Sequence, residues 1–219
     1  ARNKRYELIN SKCIELGTKY VLTAHHLDDQ IETFFMRLVR GSGIKGLASI
    51  TRKSKMKKMI LIRPLLDYSK KSLIKILAEK KQYYIEDPTN YNISFDRIRY
   101  RKIISSLIDE GIDKYRLNKL ISNLSQANIA IDYLFKTELK NCLSQNNYGH
   151  IQIKKDIFFE IPNEVQFRIL NFLISNYSNQ EKKIRSNAIL KLLDNLYKND
   201  SNSLTFNKIL FLNNKSQII

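Results

Sequence analysis

A short β-forming run at residues 20–23 lies between two helical patterns, and this order limits how the start of the chain can fold. Before the run, apolar residues recur at helical spacing over residues 6–16, and Gly17 stands where a left-handed helix cap is expected. After it, a second helical pattern covers residues 27–38. A strand enclosed by helices in this way predicts an α/β fold, in which helices cover a sheet.

The same mixture of strands and helices continues for part of the chain and then gives way to helices. Residues 59–63 form another short apolar run, and residues 83–85 predict a last strand. Beyond Phe95 the pattern is mostly helical. We therefore predict the remainder of a parallel-sheet catalytic domain at residues 1–110, followed by a mainly helical domain at residues 111–219.

The chain is strongly basic, with a formal net charge of +17 at pH 7 over 219 residues. Such a charge attracts polyanions over long distances, which favours nucleic acid as the partner over an anionic membrane surface. A composition rich in Lys, Asn, Ile and Tyr is an alternative source of part of this charge. No apolar run approaches the roughly 20 residues that a membrane helix needs, and no signal segment opens the sequence. These features predict a soluble cytoplasmic protein with no membrane partner.

Five ionisable side chains occur within eight residues, where the first strand is expected to pass into a helix. They are His25, His26, Asp28, Asp29 and Glu32. Ligands of parallel α/β sheets bind at the carboxyl ends of the strands, so this junction is a candidate catalytic site. Asp29 and Glu32 could instead form a helix capping box, or the cluster could bind a divalent metal, although its spacing matches no HExxH or cysteine-containing site. Cys13 and Cys142 are far apart, and we assign no metal ligands.

Three of the six glycines lie within residues 41–46. The backbone N–H groups of Gly41, Ser42 and Gly43 could approach a phosphate or a nucleotide. The same residues could instead end a helix in a tight turn, and the sequence leaves both interpretations open.

Five sequence blocks occur in order along the first half of the chain. They are Ala-Arg-x-x-Arg-Tyr at residues 1–6, Thr-Ala-His-His-Leu-Asp-Asp-Gln-x-Glu-Thr at 23–33, Arg-Gly-Ser-Gly-x-x-Gly-Leu at 40–47, Arg-Pro-Leu-Leu at 63–66 and Glu-Asp-Pro-Thr-Asn at 86–90. In this order they resemble the tRNA(Ile)-lysidine synthase family of PP-loop, or N-type, ATP pyrophosphatases. The resemblance covers residues 1–105 and implies an adenine nucleotide alpha hydrolase-like sheet there.

The resemblance implies a reaction and a set of residues. The reaction is ATP-dependent ligation of L-lysine to C2 of the wobble cytidine in the isoleucine tRNA with a CAU anticodon, through an adenylated tRNA that releases AMP. ATP is expected to act with Mg²⁺. The implied catalytic residues are Asp29, His25, Arg5 and Arg97, and the implied ATP or substrate pocket contains His26, Asp28, Glu32, Gly41, Ser42 and Gly43. Asp29 is the implied general base for the lysine amine.

One block of the family, Ser-Gly-Gly-x-Asp-Ser, occurs nowhere in the chain. In the family this loop holds the ATP phosphates, and it is expected to precede Ala1. We therefore expect either that the chain is a fragment or that another chain supplies this loop, and that the chain is inactive alone.

Basic residues indicate where an RNA backbone would lie. Between residues 51 and 81 there are eleven Lys or Arg against two acids, a local net charge of +9. The predicted tRNA contacts are Lys53, Lys55, Lys57 and Lys58, expected in a loop, and Arg99, Arg101 and Lys102, expected at the start of the helical region. A solvated surface is the alternative for both groups.

Two other functions remain open. A non-catalytic basic RNA-binding module would bind tRNA in a salt-sensitive manner without any ATP-dependent product. Another PP-loop tRNA-modifying enzyme, such as a cytidine thiolase, shares a His-x-x-Asp-Asp element but would need cysteines placed for sulfur chemistry. The sequence indicates no oligomeric state.

Overall fold

The computed structural model of the chain describes residues 2–85, 96–178, 184–198 and 203–219. Within these ranges the polypeptide forms nine α-helices and eight β-strands. The helices are α1 (Arg2–Glu15), α2 (Leu27–Val39), α3 (Ile44–Leu47), α4 (Lys70–Glu79), α5 (Asp96–Asp109), α6 (Lys114–Cys142), α7 (Lys155–Glu160), α8 (Asn163–Tyr177) and α9 (Ser186–Lys198). The strands are β1 (Tyr20–Leu22), β2 (Lys53–Met56), β3 (Met59–Ile62), β4 (Leu143–Gln145), β5 (Ile151–Lys154), β6 (Ser203–Phe206), β7 (Ile209–Leu212) and β8 (Gln217–Ile218).

The first three strands form one sheet in the order β1-β3-β2. β1 runs parallel to β3, with Val21 opposite Leu61, whereas β2 runs antiparallel to β3. The α/β class predicted from the sequence is therefore confirmed. The parallel pairing expected from the sequence is present between β1 and β3, and a hairpin adds β2 in the opposite direction.

Lys53 and Lys55 lie in strand β2 and not in the loop expected from the sequence. Their side chains are exposed, whereas Ser54 and Met56 are half-buried. This alternation is the two-residue period of a strand. Basic side chains are typical of edge strands, where they disfavour pairing with other chains. Lys57, with a φ of 53°, and Lys58 form the turn from β2 to β3.

The strand expected at residues 83–85 does not form. These residues have no regular structure, and Tyr83 and Ile85 are each 83% exposed. Tyr and Ile favour strands where their side chains pack on a pleated, half-buried surface, and both side chains here face water. A β-forming composition alone therefore gave the wrong assignment. The sequence block at residues 86–90 lies outside the described residues.

The chain divides into two compact units, residues 1–128 and 129–219. The sequence places a boundary at residue 110, in the turn between α5 and α6. The division between the units falls within α6, so that the first part of this helix belongs to the first unit, and the domains at residues 1–110 and 111–219 stay a prediction. None of the helices in the described part of the chain has the length and apolar character that crossing a bilayer requires.

Two apolar clusters hold the first unit together. One packs Tyr6 of α1 against Met59 of β3, so that α1 covers one face of the sheet. The other packs Leu27 and Ile31 of α2 against Ile104 of α5. Leu27 is fully buried, and burial of a leucine side chain contributes about 1.5–3 kcal/mol. The packing of Leu27 and Ile31 therefore fixes the turn of α2 that carries the ionisable residues.

The described residues of the second unit share one large apolar cluster. It includes the fully buried Phe158 of α7, Ile169 of α8 and Leu196 of α9. Strands β4, β5 and β8 form an antiparallel sheet, and β6 pairs with β7 as a hairpin. This unit therefore combines helices with five short strands.

Candidate functional site

The N-terminal turn of α2 joins His26 and Asp29 in a reciprocal cap. His26 is the N-cap residue, and its Nδ1 accepts the N–H of Asp29 at 3.4 Å. The N–H of His26 donates to Asp29 Oδ2 at 3.0 Å, and His26 Nε2 lies 3.5 Å from the same oxygen. The expectation that Asp29 forms the capping box with Glu32 is wrong, because Asp29 is itself the third helical residue and reaches back to the N-cap.

Asp29 keeps one carboxylate oxygen outside this cap. Both contacts from His26 fall on Oδ2, and the side chain is only 15% exposed. Among the residues that the structure describes, none donates a hydrogen bond to Oδ1. Asp29 thus combines a fixed position with an acceptor oxygen, which are the two properties that a general base requires.

Asp28 connects α2 to the first residues of two other helices. Its Oδ1 accepts from Lys114 Nζ at 2.6 Å, and its Oδ2 accepts the N–H of Lys70 at 2.7 Å. His26 Nδ1 lies 3.6 Å from Oδ2. Burial opposes ionisation of Asp28, but these contacts outweigh burial and hold the pKa of the carboxyl below its usual value. The sequence did not point to Lys114, because it lies 86 residues from Asp28.

Glu32 is buried and paired with α5. It is 3% exposed, and Arg101 Nε donates to its Oε1 at 2.5 Å. Burial raises the pKa of Glu32 although Arg101 and Arg97 favour the ionised form, and the same carboxylate raises the pKa of Arg101. Within the described ranges, Glu32 Oε2 is buried and has no hydrogen-bond partner. The structure therefore brings both arginines to Glu32, although Arg101 was predicted as a tRNA contact.

The other two predicted catalytic residues are His25 and Arg5, and each contacts a neighbouring side chain. His25 precedes the N-cap, and its Nδ1 is 3.0 Å from Thr23 Oγ1. Arg5 is exposed on α1, with its guanidinium 5.6 Å from the centre of the Tyr6 ring. Within the described part of the chain, no hydrogen bond or ion pair joins Arg5 to Asp29. His25 is therefore adjacent to the cap, whereas Arg5 belongs to the helix that covers the sheet.

The glycine segment closes the other end of α2. Gly41 has a φ of 65°, its N–H donates to Leu38 O at 2.9 Å, and the N–H of Ser42 donates to Arg37 O at 3.0 Å. This pair of bonds is a Schellman motif, which satisfies the last carbonyls of a helix. The expected approach of the Gly41 and Ser42 N–H groups to a phosphate is therefore not supported, because the helix end already uses both. Gly43 is the N-cap residue of α3.

Polar side chains of α2 hold the segment that follows this turn. Gln30 is 7% exposed and exchanges two hydrogen bonds with the backbone of Ile50, at 2.9 and 2.8 Å. Arg37 donates to the carbonyls of Gly46 and Ser49 at 2.6 and 3.0 Å. Neither role was predictable from the sequence, because the partners are backbone atoms that leave no residue pattern. These contacts fix the loop to the helix that carries the candidate site.

Gly46 is expected to be intolerant of a side chain. A Cβ atom there would lie 2.6 Å from Ser42 Cβ, so the turn would have to shift. We expect Gly46→Ala to lower the free energy of unfolding by about 1–3 kcal/mol. Gly43→Ala is the matched control, since its φ of −70° is ordinary and nothing lies within 4 Å of the added methyl group. Chemical denaturation measures both variants, and equal losses would contradict a packing role for Gly46.

The predicted tRNA-contacting lysines differ in whether an acid already pairs with them. Lys57 Nζ lies 3.4 Å from Glu7 Oε1. Lys53, Lys55, Lys58 and Lys102 are exposed, and they form no ion pair within the ranges that the structure covers. Arg99 is exposed on α5 as well. Among the predicted tRNA contacts, these four lysines are thus the ones that no described acid neutralises.

Neither a metal cluster nor a reactive thiol is found at this site. No group of three or more His, Cys, Asp or Glu side chains among the described residues is arranged to hold a metal ion. Cys13 and Cys142 are both buried. Burial raises the pKa of the Cys142 thiol to about 11, and a thiol that stays protonated is a poor nucleophile.

The chain is similar to known proteins along most of its length. Residues 1–108 match the PP-loop domain family. The chain is 31% identical to a tRNA(Ile)-lysidine synthase of Wolbachia pipientis wMel over 202 residues, which cover 92% of this chain and 47% of that protein. It is 42% identical to a tRNA(Ile)-lysidine synthase of Bradyrhizobium diazoefficiens over 134 residues, 61% of this chain and 37% of that protein. A protein of the same name from Rickettsia felis is 34% identical over 218 residues, 95% of this chain and 49% of that protein. The chain therefore spans about half the length, or less, of these curated relatives.

Proposed function

We propose that this chain acts in lysidine formation on tRNA, because its residues 1–108 belong to the PP-loop domain family, in agreement with the resemblance drawn from its sequence. The proposed reaction joins L-lysine to C2 of the wobble cytidine in the isoleucine tRNA with a CAU anticodon. It uses ATP and passes through an adenylated tRNA. The observation that carries the proposal is the capped turn of α2, in which His26 fixes one oxygen of Asp29 and leaves the other to accept a proton.

Asp29 is the proposed general base of the lysine-transfer step. The lysine amine is protonated near neutral pH and cannot attack until it loses a proton. In the proposed step that proton passes to Asp29 Oδ1, and the nitrogen lone pair forms a bond to C2. The bond between C2 and the adenylate oxygen then breaks, and AMP leaves with the electron pair.

Two arginines, His25 and Mg²⁺ have the remaining roles in the proposed reaction. Arg97, near Glu32, and Arg5 are proposed to contact the phosphates of ATP or of the adenylate, because a guanidinium can donate two hydrogen bonds at once. His25 is proposed to lie beside the reacting cytidine. Mg²⁺ commonly binds through substrate phosphates and one or two carboxylates. Each described carboxylate of α2 already has at least one oxygen engaged by a protein group, so Mg²⁺ is proposed to bind mainly through the ATP phosphates.

The tRNA backbone is proposed to follow the β2–β3 hairpin and the exposed side of α5. Lys53 and Lys55 stand two residues apart on one strand, which separates their side chains by about 6.6–6.8 Å. That separation is comparable to the distance between successive phosphates along an RNA strand. Lys58 in the hairpin turn and Lys102 on α5 extend this basic surface.

The buried cysteines argue against one of the two alternative functions and leave the other open. A cytidine thiolase needs accessible, reactive thiols, whereas both cysteines of this chain are buried. A non-catalytic RNA-binding module remains compatible with the charge of +17, because charge alone supports binding without chemistry. The two remaining functions differ in whether an ATP-dependent product is formed.

Lysidine formation is the direct test of the proposed function. Radiolabelled lysine, ATP and unmodified isoleucine tRNA would be incubated with the chain alone and with the chain joined to any coding sequence that precedes it in frame. ATP-dependent transfer of label to the tRNA in either form supports the proposal. Salt-sensitive tRNA binding without label in both forms would favour the RNA-binding module.

Replacing Lys53 and Lys55 together with Gln is expected to weaken tRNA binding and to reduce its salt dependence. Each lost phosphate contact lowers the slope of log K against log salt concentration by about 0.7–0.9, so the double variant should lower it by about 1.4–1.8. Lys57→Gln is the control, because Glu7 already pairs with this lysine. Fluorescence anisotropy between about 50 and 200 mM salt measures the slopes. Equal slopes for the double variant and the wild type would remove the hairpin from the proposed surface.

A further inference from the structure

Lys114 contacts the candidate site but has no part in the chemistry proposed above. Its Nζ donates to Asp28 Oδ1 at 2.6 Å, and the two side chains are 35% and 22% exposed. Lys114 is the first residue of α6, and Asp28 is the second residue of α2. One partly shielded ion pair therefore joins the starts of two helices, in surroundings where such a pair is stronger than on an open surface.

The second oxygen of Asp28 extends this connection to a third helix. Oδ2 accepts the N–H of Lys70 at 2.7 Å, and Lys70 is the first residue of α4 after its N-cap, Ser69. An N–H group in the first turn of a helix has no partner within that helix, and Asp28 supplies one. The N–H of Leu27 donates to Tyr68 O at 3.0 Å. The first turn of α2 is therefore held against the start of α4 by two hydrogen bonds.

We propose that Lys114 is a positioning residue for the candidate catalytic turn of α2 and that it acts through Asp28. With the ammonium in place, Asp28 stays ionised and holds the start of α4. His26 and Asp29, which flank this connection in the same turn, then keep the geometry of their cap. The catalytic meaning of this role rests on the function proposed above, whereas the connection itself can be tested without any activity.

Removal of Lys114 has a definite physical consequence. A carboxylate partly withdrawn from water is unfavourable without a cation, so Asp28 would turn towards solvent or take up a proton. Either change removes the acceptor of the Lys70 N–H. An arginine at position 114 would keep the charge and can donate to the same oxygen.

The charged groups around Asp28 set the sign of the pH dependence. They are His26 of α2, Lys114 of α6 and Arg101 of α5, and the Lys70 N–H adds a hydrogen bond from α4. Because the pKa of Asp28 lies below its usual value, this connection contributes stability at neutral pH that is lost as the pH falls through the lowered pKa. Without Lys114 fewer contacts oppose the effect of burial, so the pKa of Asp28 rises. The stability contributed by this connection is then lost at a higher pH.

Amide hydrogen exchange tests the connection directly. In Lys114→Met, exchange over residues 66–72 is expected to be several-fold faster than in the control Lys119→Met, which removes an exposed lysine from the same helix. Lys114→Arg is expected to restore most of the protection. Equal exchange in the two Met variants would overturn the proposal. If Lys114→Met does not fold, the wild type decides: protection of the Lys70 amide must fall on acidification, and pH-independent protection would overturn the proposal.

Kinetics of lysidine formation separates positioning from general destabilisation. Lys114→Met is expected to lower kcat with little change in the KM for tRNA, Lys114→Arg to recover most of kcat, and Lys119→Met to keep the wild-type kcat. A fall in kcat without faster exchange at residues 66–72 would overturn the role assigned to Lys114. If the wild type forms no lysidine, the proposed function fails, and the exchange data still decide whether Lys114 positions the turn.

Discussion

Asp29→Asn is expected to lower the rate of lysine transfer by about 10²–10⁴-fold, which is the contribution typical of a positioned general base. A carboxamide cannot take the proton of the lysine ammonium, so the amine would have to lose it to water. The amide oxygen can still accept the His26 N–H, which Asp29 Oδ2 accepts at 3.0 Å, so the cap of α2 is expected to remain. Single-turnover lysine incorporation with saturating ATP and tRNA measures the effect.

Asp113→Asn is the matched control for this change. Asp113 Oδ1 accepts the N–H groups of Tyr115 and Arg116 at 2.6 and 3.3 Å, a helix-capping role that asparagine fills as well. We expect the control to keep its rate and both variants to bind tRNA within a few-fold of the wild type. Undiminished turnover in Asp29→Asn would remove Asp29 from the catalytic assignment. A parallel loss of tRNA binding would indicate a folding defect and not a missing base.

The position of the candidate site was predictable because five of its ionisable residues lie within eight residues of the sequence. Two histidines and three acids at a strand-to-helix junction mark the place without any knowledge of the fold. The role of each acid was not predictable, since it depends on partners that are distant in sequence. Lys114 lies 86 residues from Asp28, and Arg101 lies 69 residues from Glu32. These partners come close only when the helices pack together, and no periodic pattern in the local sequence predicts that packing.

The glycine segment and the basic hairpin show a different limit of sequence reasoning. Glycines suit both a phosphate-binding loop and a helix end, because both need a backbone that residues with a side chain adopt poorly. The N–H groups of Gly41 and Ser42 donate to carbonyls at the end of α2, and this is visible only in the three-dimensional structure. Alternating lysines likewise suit a flexible loop or an edge strand. Lys55 pairs with Ile60 across the hairpin, which shows that these lysines lie in a strand.

Arg101→Met is expected to lower the free energy of unfolding by about 3 kcal/mol, because it leaves the Glu32 carboxylate buried without its cation. Glu32 is 3% exposed, and Arg101 Nε donates to it at 2.5 Å. The expected loss lies at the lower end of the range for broken buried pairs, since the Arg101 side chain is 38% exposed and water reaches the pair. Urea denaturation near neutral pH measures the change.

The pH dependence of this loss follows from the raised pKa of Glu32. Burial already raises that pKa, and removal of Arg101 would raise it further. A carboxyl whose folded pKa is raised contributes stability below its usual pKa and loses that contribution as the pH rises through the folded value. The gap in unfolding free energy between Arg101→Met and the wild type is therefore expected to be largest near neutral pH and to shrink on acidification.

A double-variant cycle separates the buried charge from the lost packing of the arginine. Glu32→Gln combined with Arg101→Met removes both charges, so it is expected to recover at least half of the stability lost in Arg101→Met alone. Lys102→Met, an exposed neighbour on α5, is the control for loss of one positive charge and is expected to change stability by less than about 0.5 kcal/mol. If the double variant is as unstable as Arg101→Met, contacts of the arginine side chain other than its charge pair with Glu32 hold α5 to α2.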